Sequence, residues 1–139
     1  MKYKVLSTLA RPPVKRDEDS GFDLYALFNE NTRGLILPHT VAKIPTGISM
    51  EIPVGVGGFL YSRSSYASRG LIVVGGVIDS GYRGEIIVCL LNTTEHIQII
   101  GDGDKICQII FHQVYCGDLV EADVLSASLR GSNGFGSTD

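Results

Sequence analysis

The chain has 139 residues, of which 44% are apolar and 19% charged, with 17 glycines and no tryptophan. That length suits one domain with a real core, and so little charge beside so much glycine excludes a helical bundle, whose surface needs more Lys, Glu and Arg. A formal net charge of −3 excludes a polyanion partner such as DNA or an acidic membrane, so no nucleic acid and no membrane are expected as partners.

In chain order, the short runs KYKVLST, DLYAL, LILPHTVAKIPTGISMEIP (two strands), GGFLYSR, GLIVV, VIDSGY, GEIIVCLLNTT, HIQII and KICQIIFHQVY predict strands. They are rich in Val, Ile, Tyr and Thr and bounded by Gly, Pro, Asn or Asp. Only GDLVEADVLSASLR has room for a helical turn. Regular short strands with turn signals predict an antiparallel all-β sandwich or barrel. From Leu125 onward the apolar pattern fades into SLRGSNGFGSTD, so residues 1–124 read as the core and 125–139 as a mobile glycine-rich arm.

Cys89, Cys107 and Cys116 lie among apolar neighbours without a CxxC spacing. They read as buried thiols in a reducing compartment, and with His39, His96 and His112 they form no zinc spacing. The N-terminus is broken by charge and proline, and no apolar run reaches the roughly 20 residues of a membrane span. A soluble, cytoplasmic protein is the expectation.

Three segments are unusual for plain structure. Tyr61 to Gly70 clusters serines with Arg63 and Arg69 directly after a strand; hydroxyls, amides and a guanidinium together can bind phosphate, although a serine helix cap beside a solvated arginine has the same composition. In Gly75 to Glu85, Asp79 ends an apolar run. Alone it reads first as a turn residue and second as a catalytic carboxylate, with Tyr82 a strand aromatic and Arg83 and Glu85 a solvated edge. In the tail, Phe135 sits between glycines, with Arg130 before it and Ser137 and Thr138 after it. An aromatic without a core to fill resembles a closing lid.

Together these residues resemble the trimeric deoxyuridine triphosphatases, whose five motifs match in order along nearly the whole chain. Asp19 to Tyr25 resembles the first motif, Ser62 to Ser65 the second and Gly76 to Glu85 the third. Gly103 to Ile109 resembles the fourth, and Arg130 to Thr138 the fifth.

The resemblance implies a distorted jelly-roll or β-clip barrel that forms a homotrimer with shared active sites. It implies Mg²⁺-dependent hydrolysis of dUTP to dUMP and pyrophosphate, which keeps uracil out of DNA and supplies dUMP for dTMP synthesis. Asp79 is then the general base. Gly76, Val77 and Ile78 hold uracil through the backbone, and Tyr82 lies beneath the deoxyribose and rejects ribose. Arg63, Ser64, Ser65 and Gln108 meet the phosphates from a neighbouring subunit. Asp23 holds Mg²⁺ through water. Phe135 stacks on uracil, while Arg130, Gly136, Ser137 and Thr138 close over the site.

Several positions depart from the family's usual residues. Ser62 replaces a common proline, which predicts a looser approach to Arg63. Tyr66 replaces a small aliphatic residue, Ser20 an alanine, Phe22 a tyrosine and Gly81 an aspartate. The related dCTP deaminases need a carboxylate ten residues past Asp79, where this chain has Cys89. A further regulatory protein partner is compatible with the motifs, but nothing in the residues identifies one.

Overall fold

Period-two alternation of apolar and polar residues becomes a set of two-faced strands. The structure, a computed structural model, describes residues 1–28 and 32–134. Among the described residues the strands are β1 (Lys2–Val5), β2 (Phe22–Tyr25), β3 (Arg33–Ile36), β4 (Val41–Pro45), β5 (Ile48–Glu51) and β6 (Val56–Tyr61). After a single helical turn, α1 (Ser64–Ala67), come β7 (Leu71–Val73), β8 (Val77–Ile78), β9 (Ile87–Asn92), β10 (Gln98–Gly101) and β11 (Lys105–Gln113). The sheets run β1-β5, β10-β3, β2-β11-β6-β8 and β4-β9-β7, and each of these pairings is antiparallel. The all-β expectation holds.

Three details differ from it. The run expected to hold two strands holds three, because His39 at φ 56° and Gly47 at φ 67° turn the chain between them. Residues 117–130 hold no helical turn: their apolar residues are exposed, and a lone turn without a packing face does not repay its nucleation cost. The cysteines are not uniformly buried. Cys107 is buried, Cys89 partly so, and Cys116 exposed past the end of β11. Burial, followed by the nearby charge of Asp23, pushes the Cys107 thiol up to about 12.

The core is largely aliphatic, with Leu24, Ile44, Ile48, Leu71, Val88, Leu90 and Ile109 at 2% exposure or less. Strand β9 shows the logic: Val88, Leu90 and Asn92 point inward while Ile87, Cys89 and Leu91 do not. In β11 the alternation slips once. Lys105 pairs with Tyr25 and Cys107 with Leu24, leaving Ile106 as an extra residue in a β-bulge. Without it Lys105 would share the core face with Cys107 and Ile109. With it, Lys105 shares the outer face with Tyr25 and Asp23.

Among the described residues one side-chain amide lies in the core, and it is fully partnered. Asn92 donates to the carbonyls of Ile36 (3.0 Å) and His96 (2.8 Å) and accepts from the amide (3.0 Å) and hydroxyl (2.8 Å) of Thr94. It closes the turn between β9 and β10. Replacing it by alanine leaves buried carbonyls unpaired, so Asn92→Ala should lower unfolding free energy by about 2–3 kcal/mol, read as a drop in denaturant midpoint at unchanged slope.

Candidate active site

Two clefts collect the polar residues of interest, and they share no lining residue. The larger, about 490 Å³, lies on the outer face of β2 and β11 and is bordered by the start of α1. Asp23 and Gln108 face each other across the β2–β11 register, an arrangement that follows from Leu24, Cys107 and Ile109 taking the core side. Gly21 leaves room for Gln108, since a Cβ there would stand 3.0 Å from its Oε1.

The Asp23 side chain is 18% exposed and holds two cations. Arg63 Nε lies 3.0 Å from Oδ1, and Lys105 Nζ lies 2.8 Å from Oδ2. Arg63 also donates to the Lys105 carbonyl at 3.4 Å. Arg16, Asp19, Ser20 and Ser64 complete the polar wall. With Arg16, Arg63 and Lys105 against Asp19 and Asp23, the wall carries a small positive excess, suited to an anion.

Arg63 occupies the N-cap position of α1 in an extended conformation, φ −71° and ψ 146°. Its carbonyl accepts from the amides of Tyr66 and Ala67, both at 2.9 Å. The first-turn amides of Ser64 and Ser65 have no partner within the helix, but one turn of helix contributes little dipole. Ser62 does not loosen this segment. Its hydroxyl accepts from the Val73 amide at 2.7 Å and ties the strand end to β7. Tyr66, the other large departure, is buried and donates to Asp104 at 3.4 Å. Its hydroxyl is pushed up to about 12, first by burial and then by the Asp104 charge.

The smaller cleft, about 180 Å³, is lined by Val77, Ile78, Asp79, Tyr82, Glu85 and Ile87. Strand β8 is the edge of its sheet. The Leu60 amide donates to the Gly76 carbonyl at 2.8 Å, so in antiparallel geometry the amide and carbonyl of Val77, opposite Phe59, point away from β6 to the open side. Asp79 begins a turn, its carbonyl accepting from Tyr82 N at 3.1 Å. Among the described residues its exposed carboxylate has no hydrogen-bond or ion partner. It is therefore a turn former whose carboxylate remains uncommitted.

Arg83 is exposed as a solvated edge would be, whereas Glu85 is half-buried and tied to a distant strand end. Arg83 donates to the carbonyls of Ser80 (2.6 Å) and Tyr82 (2.8 Å), and Glu85 accepts from Gly47 N at 2.6 Å. The Tyr82 hydroxyl donates to the Glu85 carbonyl at 3.0 Å, and Ser49 donates to the Arg83 carbonyl at 2.6 Å. The hairpin is thereby pinned to β5 and the residues just before it. Arg130 is exposed, lines neither cleft and donates to the Asn133 carbonyl at 2.9 Å. Phe135, Gly136, Ser137 and Thr138 lie outside the described residues.

The pattern of the dUTPase family matches residues 8–139. A deoxyuridine 5′-triphosphate nucleotidohydrolase of Desulfitobacterium hafniense is 43% identical over 123 residues, covering 86% of this chain and 80% of that one. That of Mycolicibacterium gilvum is 38% identical over 94% of this chain and 88% of its own. This chain belongs to the dUTPase family. The fold agrees: a dUTPase of Staphylococcus bacteriophage 80alpha, solved with dUpNHpp, superposes with a TM-score of 0.87 at 26% identity over 98% of this chain and 96% of that one.

Within this dUTPase, sequence reasoning had assigned no role to Lys105, Arg16 or Asp19. Lys105 sat inside a recognised motif, but nothing in plain alternation aims it at Asp23. In the Asp79 hairpin, the glycines differ in what they tolerate. Gly76 has φ 93°, and a Cβ would stand 3.0 Å from the Leu60 Cβ; Gly75 has φ 73° but open space; Gly81 has open space and no such φ. Gly76→Ala should therefore cost about 2–3 kcal/mol, Gly75→Ala about 1 kcal/mol, and Gly81→Ala close to nothing, measured by denaturant unfolding.

Proposed function

We propose that this dUTPase hydrolyses dUTP to dUMP and pyrophosphate by attack of water on the α-phosphorus, with Asp79 as general base. The observation that carries this reading is the uncommitted Asp79 carboxylate in a nucleoside-sized cleft, complemented by a separate cationic cleft holding Arg63, Ser64 and Gln108. The family and its relatives supply the substrate.

The open amide and carbonyl of Val77, flanked by Gly76 and Ile78, offer a donor and an acceptor to the edge of uracil. Cytosine presents the opposite pattern there. The Tyr82 ring, held by its hydroxyl bond, forms the floor under the deoxyribose and leaves no room for a 2′-hydroxyl. Asp79 draws a proton from water as the water oxygen bonds to the α-phosphorus. The bond from that phosphorus to the bridging oxygen breaks, and pyrophosphate leaves with the electron pair. No covalent enzyme intermediate is required; positioning and charge stabilisation supply the rate.

Arg63, Ser64, Ser65 and Gln108 bind the phosphate chain and oppose the charge that develops on it. The family implies a magnesium-dependent enzyme. The described residues contain no cluster of three or more His, Cys, Asp or Glu, and Asp23 is engaged by two cations. An anionic carboxylate in the phosphate cleft suits a hydrated cation, and Asp23 would hold Mg²⁺ there through a water. Bound there, Mg²⁺ supplies charge neutralisation.

A homotrimer with shared sites is part of the same reading. One chain keeps its two clefts apart, so a neighbouring copy must bring phosphate ligands to the Asp79 hairpin. Support comes from residues 114–134, which carry Tyr115, Leu119, Val120, Val124, Leu125 and Leu129 almost wholly exposed; so much bare apolar surface in one segment calls for a partner surface. Residues 125–139 then act as the arm, Phe135 stacking on uracil and Arg130, Gly136, Ser137 and Thr138 gripping the phosphates. The three free cysteines support a cytoplasmic setting for this chemistry.

Asp79→Asn should lower pyrophosphate release from dUTP by roughly 10³-fold while dUpNHpp binding, followed by calorimetry, persists; turnover near the parent rate would remove Asp79 from the mechanism. Deleting residues 130–139 should leave an oligomer with the same number of subunits by light scattering, with activity reduced about a hundred-fold or more.

A further inference from the structure

The Asp23 carboxylate stands between two cations that belong to different parts of the fold. Arg63 arrives from the end of β6 and Lys105 from the bulged start of β11, each taking one carboxylate oxygen at 3.0 and 2.8 Å. Arg63 is also the residue assigned above to the phosphate chain, so Asp23 and the substrate compete for one guanidinium. Were Arg63 the sole partner of Asp23, its departure would strand a carboxylate that is only 18% exposed, which is costly. Lys105 removes that cost. It reaches the other oxygen, its ammonium lies 5.8 Å from the centre of the Tyr25 ring, and the extra residue Ile106 turns it onto this face.

Building on the phosphate-site reading above, we propose that Lys105 is a positioning residue for phosphate capture: it retains Asp23 when the Arg63 guanidinium moves to the triphosphate. Asp23 then serves as a stand-in anion that keeps Arg63 ordered and releases it on substrate arrival. Without Lys105 the whole Asp23 charge falls on Arg63, and Arg63 contributes less to phosphate binding. The two side chains are thus coupled through Asp23 and do not act as independent phosphate contacts.

The test is a double-mutant cycle on dUpNHpp affinity, measured by calorimetry on the full chain with Lys105→Met, Lys105→Arg, Arg63→Gln and the Met/Gln double variant. Lys105→Met should weaken binding about ten-fold, and Lys105→Arg should restore it to within about three-fold of the parent. Arg63→Gln should cost at least about five-fold less in the Lys105→Met background than in the parent, a coupling that a purely structural lysine would not produce. Additive losses, or a Lys105→Met affinity within two-fold of the parent, overturn the proposal. If Lys105→Met unfolds, Lys105→Gln takes its place under the same criteria. A parent protein that neither binds dUpNHpp nor releases pyrophosphate from dUTP overturns the functional reading itself, and this is told apart by the parent measurement alone.

Discussion

In the four-stranded sheet β2-β11-β6-β8, every residue must face either the core or the outer surface, and nearly all of the site follows from that constraint. Leu24, Cys107, Ile109 and Leu60 take the inner side. Their neighbours are thereby committed to the outer side: Asp23 opposite Gln108, Gln108 opposite Tyr61, and Phe59 opposite Val77. The polar lining of the larger cleft and the start of the Asp79 hairpin thus belong to one sheet, the former at its β2–β11 side and the latter at its β8 edge. The apolar burial that stabilises the sheet and the polar display that serves chemistry are one alternation read from two sides.

Charge is confined as strictly as apolar surface. The partly buried Asp23 carboxylate is matched by two cations, while the nearby Cys107 thiol and Tyr66 hydroxyl stay neutral. The Cys107 thiol and the Tyr66 hydroxyl are both pushed up to about 12, in each case chiefly by burial. The charges of this cleft are therefore those of Asp23, Arg63 and Lys105 at its centre, with Arg16 and Asp19 in the wall, and neither Cys107 nor Tyr66 adds to them near neutral pH. At the other cleft the design is reversed. Among the described residues the exposed Asp79 carboxylate has no partner, and the side chains of Tyr82, Arg83 and Glu85 fix the hairpin around it through bonds to backbone groups.

Much of this was legible in the residues. Strand positions followed from Val- and Ile-rich runs between glycines, and Asp23, Arg63, Ser64, Asp79, Tyr82 and Gln108 stood out by motif. Each of these six now lines one of the two clefts. Local reasoning failed where a distant partner decided the outcome. Ser62 looked like a loss of rigidity beside the family's proline, yet its hydroxyl caps an amide eleven residues away. Glu85 looked solvated, yet Gly47, far back in the chain, supplies its partner. Cys116 looked like a core thiol by its neighbours, but β11 ends before it.

The sequence by itself determined the fold class, the family and the side chains available for chemistry, because alternation, turn residues and motif spacing are local properties. Tertiary structure alone decided which of those side chains meet. A single bulge at Ile106 moves Lys105 from the core face to the side of Asp23, and strand pairing keeps the Asp79 hairpin in a cleft separate from Arg63. Neither can be read along the chain, since a one-residue slip in register exchanges the two faces of a strand and is settled only by what lies opposite.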